Sequence, residues 1–239
     1  MIPRFHFPGI LPHAGEVELP AAAAHHALKV LRLARGDAVT LFDGNGGELD
    51  ARLEVRARKA YAVAGQWREI ERESPFAIVL AQALASGDKM DWVIQKAVEL
   101  GVVGIVPLQA ARSVPRLAGE RAGKRVAHWR QVVIAACEQC GRNRPPFVAP
   151  VQELAAYLSQ GEAATRLILA PGGERLSGMP PLAAPVHLLV GPEGGWSEEE
   201  LALCQRSGCR AAALGPRILR TETAGLAAIA ALQTAAGDF

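Results

Sequence analysis

The chain has 239 residues, 50% of them hydrophobic and 21% charged, with a net charge of +2. That content supports one large core or two modest ones, two fitting the usual domain size better, and so small a net charge singles out no partner. No run approaches the roughly 20 apolar residues of a membrane span, and Met1-Ile2-Pro3-Arg4-Phe5-His6 lacks a basic region followed by a long apolar one, so a soluble, cytoplasmic protein is expected.

The first third reads as a small β domain. His25 to Leu33 is predicted as a short helix, and Ala38 to Phe42, Glu48 to Val55 and Tyr61 to Trp67 as strands. Asp43-Gly44-Asn45-Gly46-Gly47, between the first two strands, carries the Asp-Gly and Asn-Gly pairs that favour hairpins. His25 and His26 are adjacent and cannot share a helix face, so they are read as solvent or packing histidines rather than metal ligands. The organisation changes near Glu73, Ser74 and Pro75, which divides the chain into residues 1–73 and 74–239.

From Phe76 strands alternate with helices, the signature of a mainly parallel α/β sheet. Ile78 to Leu84 is a predicted strand. Lys89 to Leu100 is a predicted helix with Met90, Val93, Ile94, Ala97 and Val98 on one apolar face and Gly101 as its stop. Val102 to Val106 follows as a strand, and Glu120 to Cys140 as a long helix ended by Gly141. Leu167 to Ala170 precedes Pro171-Gly172-Gly173, a predicted strand-to-loop junction. Cys137 and Cys140 have C-x-x-C spacing at a helix C-terminus, whereas reactive thiols favour N-termini. Cys204 and Cys209 fall on or after another helix, so four buried, reduced, metal-free cysteines are expected. Between Arg112 and Arg144, eight basic residues stand against Glu120 and Glu138, a net +6 that reads as a polyanion contact or as a solvated helix face.

The most informative segments lie near the C-terminus. Val186 to Val190 reads as a buried strand, Gly191-Pro192-Glu193-Gly194-Gly195-Trp196 as a turn, and Ser197 with Glu200 as a capping box that opens a helix. Ala211 to Leu214, Gly215 and the run after Thr221 repeat the plan. Two glycine-bearing turns at the carboxyl ends of neighbouring strands predict one small-molecule crevice, where open α/β sheets bind ligands. No G-x-x-x-x-G-K-[ST] or G-x-G-x-x-G run occurs, which removes the main support for triphosphate or dinucleotide chemistry. An acid inside the turn, Glu193, suits an amino group or a nucleoside hydroxyl better than a phosphate. Gly225 to Ala236 is almost wholly apolar and predicts a helix buried in the core or against a second subunit.

These residues carry a family resemblance. Gly191 to Gly195, and Leu214-Gly215 with Arg217 to Ala224, resemble the two C-terminal signatures of the RsmE-type SPOUT methyltransferases, which methylate N3 of a uridine in 16S ribosomal RNA using S-adenosylmethionine. Lys89-Met90-Asp91-Trp92 with Gln95-Lys96 and Glu99-Leu100-Gly101 is similar to the family's first catalytic-domain helix, and Glu138-Gln139-Cys140-Gly141-Arg142 to its Glu-Gln-Ser-Gly-Arg motif. His26, Val30-Leu31-Arg32, Gly36-Asp37 and Asp43-Gly44 resemble its PUA-like RNA-binding barrel. Cys140 and Val98 depart from a frequent serine and threonine without removing charge.

The resemblance implies an N-terminal PUA-like β-barrel, a trefoil-knotted α/β SPOUT domain, a homodimer, and a substrate within a ribosomal subunit particle. It implies S-adenosylmethionine, without metal, against Leu169, Ala170, Pro171, Val190, Gly191, Pro192, Glu193, Gly195, Leu214, Gly215, Ile218, Leu219 and Arg220. Methylation at N3 requires loss of the imide proton, for which Glu138 and Glu222 are candidate bases and Arg142 and Arg220 candidate stabilisers of the anion. Arg4, Arg32, Arg112, Arg142 and Arg144 are candidate RNA contacts. A 2′-O-ribose RNA methyltransferase of the same superfamily is the nearest rival, and a non-catalytic RNA-binding protein the next.

Overall fold

The computed structural model describes residues 2–57, 59–161 and 165–239. The chain divides into two compact units: Met1–Glu73 with Ile134–Pro145, and Ser74–Val133 with Pro146–Phe239.

In the first unit the elements are β1 (Arg4–His6), β2 (Glu16–Glu18), α1 (Ala21–His25), which runs into a π-helical turn over His26–Val30, then β3 (Ala38–Phe42), β4 (Glu48–Arg56) and β5 (Lys59–Arg68). They form a mixed five-stranded sheet in the order β1-β3-β4-β5-β2, with β1 parallel to β3 and the other pairs antiparallel. Phe5, Leu11, Leu19, Ala27, Val39, Leu41, Leu49, Leu53 and Ala62 fill its core. Three strands match the alternation in the sequence. The helix starts earlier than expected because four consecutive alanines, the strongest helix formers, precede His25, and it ends by Val30, ahead of Arg32 in a left-handed backbone conformation (φ 55°). β1 and β2 span three residues each, too few to display a period.

The second unit contains β6 (Ile78–Ala83), α2 (Lys89–Glu99), β7 (Gly104–Gln109), α3 (Gly119–Cys140, whose last residues belong to the first unit), β8 (Phe147–Val148), β9 (Gln152–Glu153), α4 (Leu154–Leu158), β10 (Thr165–Arg175), β11 (Val186–Val190), α5 (Glu198–Arg206), β12 (Arg210–Ala213) and α6 (Thr221–Ala236). Every strand pairing in its sheet is parallel, in the order β12-β10-β11-β6-β7-β8, with β9 also on β7. β6, β7 and β11 are buried along their whole lengths, which is why they read as unbroken apolar runs rather than as alternation. The predicted face of α2 is the buried one, and Gly101 (φ 85°) takes the left-handed position that ends it. α6 buries Gly225, Ala228, Ile229 and Leu232 within its own protomer, next to α2, β6 and β11. No helix of the described residues is long and apolar enough to cross a membrane.

Two expectations are corrected. β11 and β12 are not neighbours, since β10 runs between them. Pro171-Gly172-Gly173 is no loop either: β10 continues through it to Arg175, and its pairing with β12 skips from Leu169 to Glu174. The irregularity absorbs the proline, which lacks a ladder donor. Gly173 fits because a Cβ there would lie 2.7 Å from the backbone of Ala211 and 2.8 Å from that of Ala212.

Candidate functional site

The carboxyl ends of β10, β11 and β12 open into a cavity of about 720 Å³, within the usual range for small-ligand sites. Its wall comprises the bulge of β10, the turn after β11, and the loop from β12 into α6. All thirteen residues implied for the cofactor line it: Leu169, Ala170 and Pro171 from β10; Val190, Gly191, Pro192, Glu193 and Gly195 from the β11 turn; and Leu214, Gly215, Ile218, Leu219 and Arg220 from the last loop. Glu222 lines it as well. The capping box forms as predicted, with Glu200 N donating to Ser197 Oγ at 3.2 Å and Ser197 N to the Glu200 carboxylate at 2.8 Å, and it fixes where the β11 turn hands over to α5.

Sequence reasoning missed Gln82 and the way Thr221, Trp196 and Arg112 brace this wall. Buried Gln82 of β6 donates to Thr221 Oγ1 at 2.9 Å, and Thr221 donates to Gly191 O at 2.6 Å, tying the start of α6 to the glycine turn. Trp196 Nε1 donates to Leu169 O at 3.2 Å and links the same turn to β10. Arg112 Nη1 donates to Gly194 O at 3.0 Å. The available signal was the placement of Gln82 at a strand's carboxyl end and of Thr221 in the first turn of a helix.

Glu193 is held by three donors. Partial burial works against its carboxylate, but the Ser86 hydroxyl (2.7 Å), the Ser86 amide (3.0 Å) and Lys89 Nζ (3.1 Å) donate to it and keep its pKa at about 2. Lys89 Nζ also lies 3.8 Å from Glu222 Oε2, a buried oxygen without a hydrogen-bond partner. Gly195 (φ 70°) and Gly215 (φ 111°) have open space where a Cβ would project, so the turns present bare backbone to the cavity, while Ile218 is 89% exposed on its rim. Apolar wall, bare peptide groups and two carboxylates suit a ligand that combines an aromatic base with hydroxyl and ammonium groups.

The remaining candidates have other surroundings. Glu138, in the first unit, accepts a hydrogen bond from His6 N at 3.0 Å, and burial raises its pKa against the opposing pull of that bond and of His26 and Arg4. Arg142 is 4% exposed, with its Nε 3.1 Å from the Glu73 carboxylate, so it is a buried ion-pair member rather than a surface cation. Arg4 pairs with Glu48, which also receives Arg68 and Arg72. Arg144 bonds Glu71 through Nε yet stays 52% exposed, and Arg32 and Arg112 are exposed. The +6 stretch is thus partly neutralised by acids outside it: Asp91 on Arg125, Glu71 on Arg144 and Glu73 on Arg142. None of the four cysteines forms a disulfide; Cys137, Cys204 and Cys209 are buried, but Cys140 is only half-buried. Burial pushes the Cys137 thiol up to about 12, the reverse of an activated nucleophile. Among the described residues no group of three or more His, Cys, Asp or Glu is placed to hold a metal.

The family model for an RNA methyltransferase domain matches residues 72–233, and that for an RNA methyltransferase PUA domain matches residues 19–63. The chain belongs to this RNA methyltransferase family. Among its relatives, the ribosomal RNA small subunit methyltransferase E of Bacillus subtilis is 32% identical over 87% of this chain and 86% of its own. The structure of an enzyme of that name from Neisseria gonorrhoeae bound to S-adenosyl methionine has a TM-score of 0.94 at 43% identity, covering 98% of each chain. That of a methyltransferase from Legionella pneumophila in complex with the same cofactor has a TM-score of 0.94 at 37% identity, again over 98% of both. The parallel sheet that carries the cavity lies within the methyltransferase domain, and α1, β3 and β4 within the PUA domain.

Proposed function

We propose that this methyltransferase transfers a methyl group from S-adenosylmethionine to N3 of a uridine in small-subunit ribosomal RNA. The observation that carries the reading is the convergence of the β10 bulge and both glycine turns on one cavity, in a chain of an RNA methyltransferase family. The residues present fit the cofactor. Leu169, Val190 and Ile218 would pack its base, the turns around Gly191 and Gly215 would meet its polar atoms with backbone groups, and Glu193 would face a hydroxyl or the ammonium. When bound, the cofactor supplies an electrophilic sulfonium methyl.

The chain's own chemistry is to ready the uracil. Glu222, with one carboxylate oxygen lacking a hydrogen-bond partner, is assigned as acceptor of the N3 proton, and Arg220 as the cation that stabilises charge on the uracil oxygens. Lys89 Nζ stands between the two acids, 3.1 Å from Glu193 Oε1 and 3.8 Å from Glu222 Oε2, while Ser86 holds the Glu193 carboxylate in place. Glu138 and Arg142 are assigned to shaping the loop that carries Arg144, Arg4 to the buried ion pair with Glu48 rather than to RNA, and Arg32, Arg112 and Arg144 to RNA contact. The chain is proposed to act in the cytoplasm as a homodimer, on RNA within a small-subunit particle, through the trefoil-knotted SPOUT topology of its family. Nucleoside mass spectrometry of small-subunit RNA incubated with protein and S-adenosylmethionine tests the activity: 3-methyluridine is expected, and a 2′-O-methyl nucleoside overturns the assignment.

A further inference from the structure

In the first unit, the turn from Asp43 to Gly47 gathers three chemically distinct groups. Trp67 lies against Gly47 so closely that any Cβ there would collide with the indole, and Gly47 adopts φ 67°. Trp67 Nε1 donates to Glu69 at 2.7 Å, which fixes the ring's rotation. On it stacks the imidazole of His13, with centroids 4.0 Å apart and planes 14° from parallel. His13 is exposed. On the other side of the turn Glu71 accepts from Gly47 N at 2.9 Å and from Arg144 Nε at 3.1 Å, and a side chain on Gly46 would strike Arg144. The tip of the turn is exposed Asn45, whose backbone N is held by Asp43 at 3.0 Å.

A locked aromatic pair with an exposed outer ring, a half-exposed guanidinium and an amide on one rigid turn is the equipment for one unpaired nucleotide. The ring stacks the base, the guanidinium meets a phosphate and the amide reads a base edge. We propose that His13, stacked on Trp67, is a ledge for an unpaired base of the RNA, with Arg144 on the neighbouring phosphate and Asn45 at the base edge. The rings are already stacked before the RNA arrives, which reduces the ordering that accompanies binding. The proposal rests on the reading that the substrate is RNA, and its test separates the two.

The probes are a single-stranded oligouridylate, the same chain with one abasic position, and deproteinised small-subunit ribosomal RNA. His13→Ala is expected to weaken oligouridylate binding about 5- to 100-fold, the range for one stacked base. The loss should be small for the abasic chain at the position that occupies the ledge, and His13→Phe should restore affinity. Arg144→Gln should instead flatten the salt dependence for both chains. On ribosomal RNA, His13→Ala is expected to raise KM with kcat unchanged. A 4-thiouridine probe should crosslink to His13 or Trp67. If wild type methylates ribosomal RNA but His13→Ala alters neither oligouridylate affinity nor KM, the ledge is a packing feature and the proposal falls while the activity stands. If wild type neither binds nor methylates RNA, both fall.

Discussion

At the scale of single residues, the two acids of the cavity are distinguished by their partners. Glu193 takes three donors on its Oε1, and its depressed pKa means that its stabilising contact is complete above the ordinary carboxylate value of 4.5 and is lost only as pH falls toward about 2. Cofactor affinity is therefore expected to show no titration of Glu193 between about pH 5 and pH 8, while Glu193→Gln should lower affinity throughout; calorimetry across that range checks both. Glu222 has an oxygen left over. Glu222→Gln is expected to reduce kcat by about 100- to 10,000-fold with cofactor affinity nearly unchanged, in keeping with removal of a general base. Glu138 has the opposite linkage to Glu193. Its pKa is raised, so its contribution to stability is fully present below 4.5 and lost as pH rises through the raised value. Glu138→Gln should accordingly gain stability relative to wild type at about pH 8 and little at about pH 4, read as the difference in Tm.

At the scale of elements, the bulge in β10 decides where the cavity wall stands. Residues 170–173 bow out of register with β12, and the backbone of Ala211 and Ala212 closes onto Gly173. Gly173→Ala is expected to push the strands apart, lowering stability by about 1–3 kcal/mol and weakening cofactor binding, whereas Gly172→Ala meets no neighbouring atom but must adopt φ 81°. Denaturant midpoints with parallel calorimetry distinguish a local loss from a global one. The capping box is a milder lever: Ser197→Ala should remove about 1 kcal/mol and loosen the turn from Gly191 to Trp196 without altering the strands.

At the scale of the whole molecule, the stability of the fold and the proposed dimer are both tested at α6. Ile229 is fully buried in its own protomer, so Ile229→Glu is expected to unfold the methyltransferase domain whatever the oligomeric state. Leu226 is only half-buried, which leaves part of it for a partner. Leu226→Glu should therefore give a folded monomer with reduced activity, and light scattering of wild type should show a dimer. A wild-type monomer with full methyltransferase activity would remove the dimer from the proposal.

The sequence by itself determined the elements whose side chains face one uniform environment. β6, β7 and β11 are buried throughout, α2 shows one apolar face, and β4, which follows the glycine-rich turn, alternates from Leu49 to Leu53, so each writes its period into the chain. The capping box was equally legible, because both of its partners lie within one helical turn. The tertiary structure alone decided the rest. That β10 separates β11 from β12 depends on pairing between distant segments, and Pro171-Gly172-Gly173 has the composition of a loop until β12 is beside it. The surroundings of the acids and arginines were hidden for the same reason. Arg142 and Glu73, or Ser86 and Glu193, are far apart along the chain, and a charge's role depends on the partner that folding brings to it.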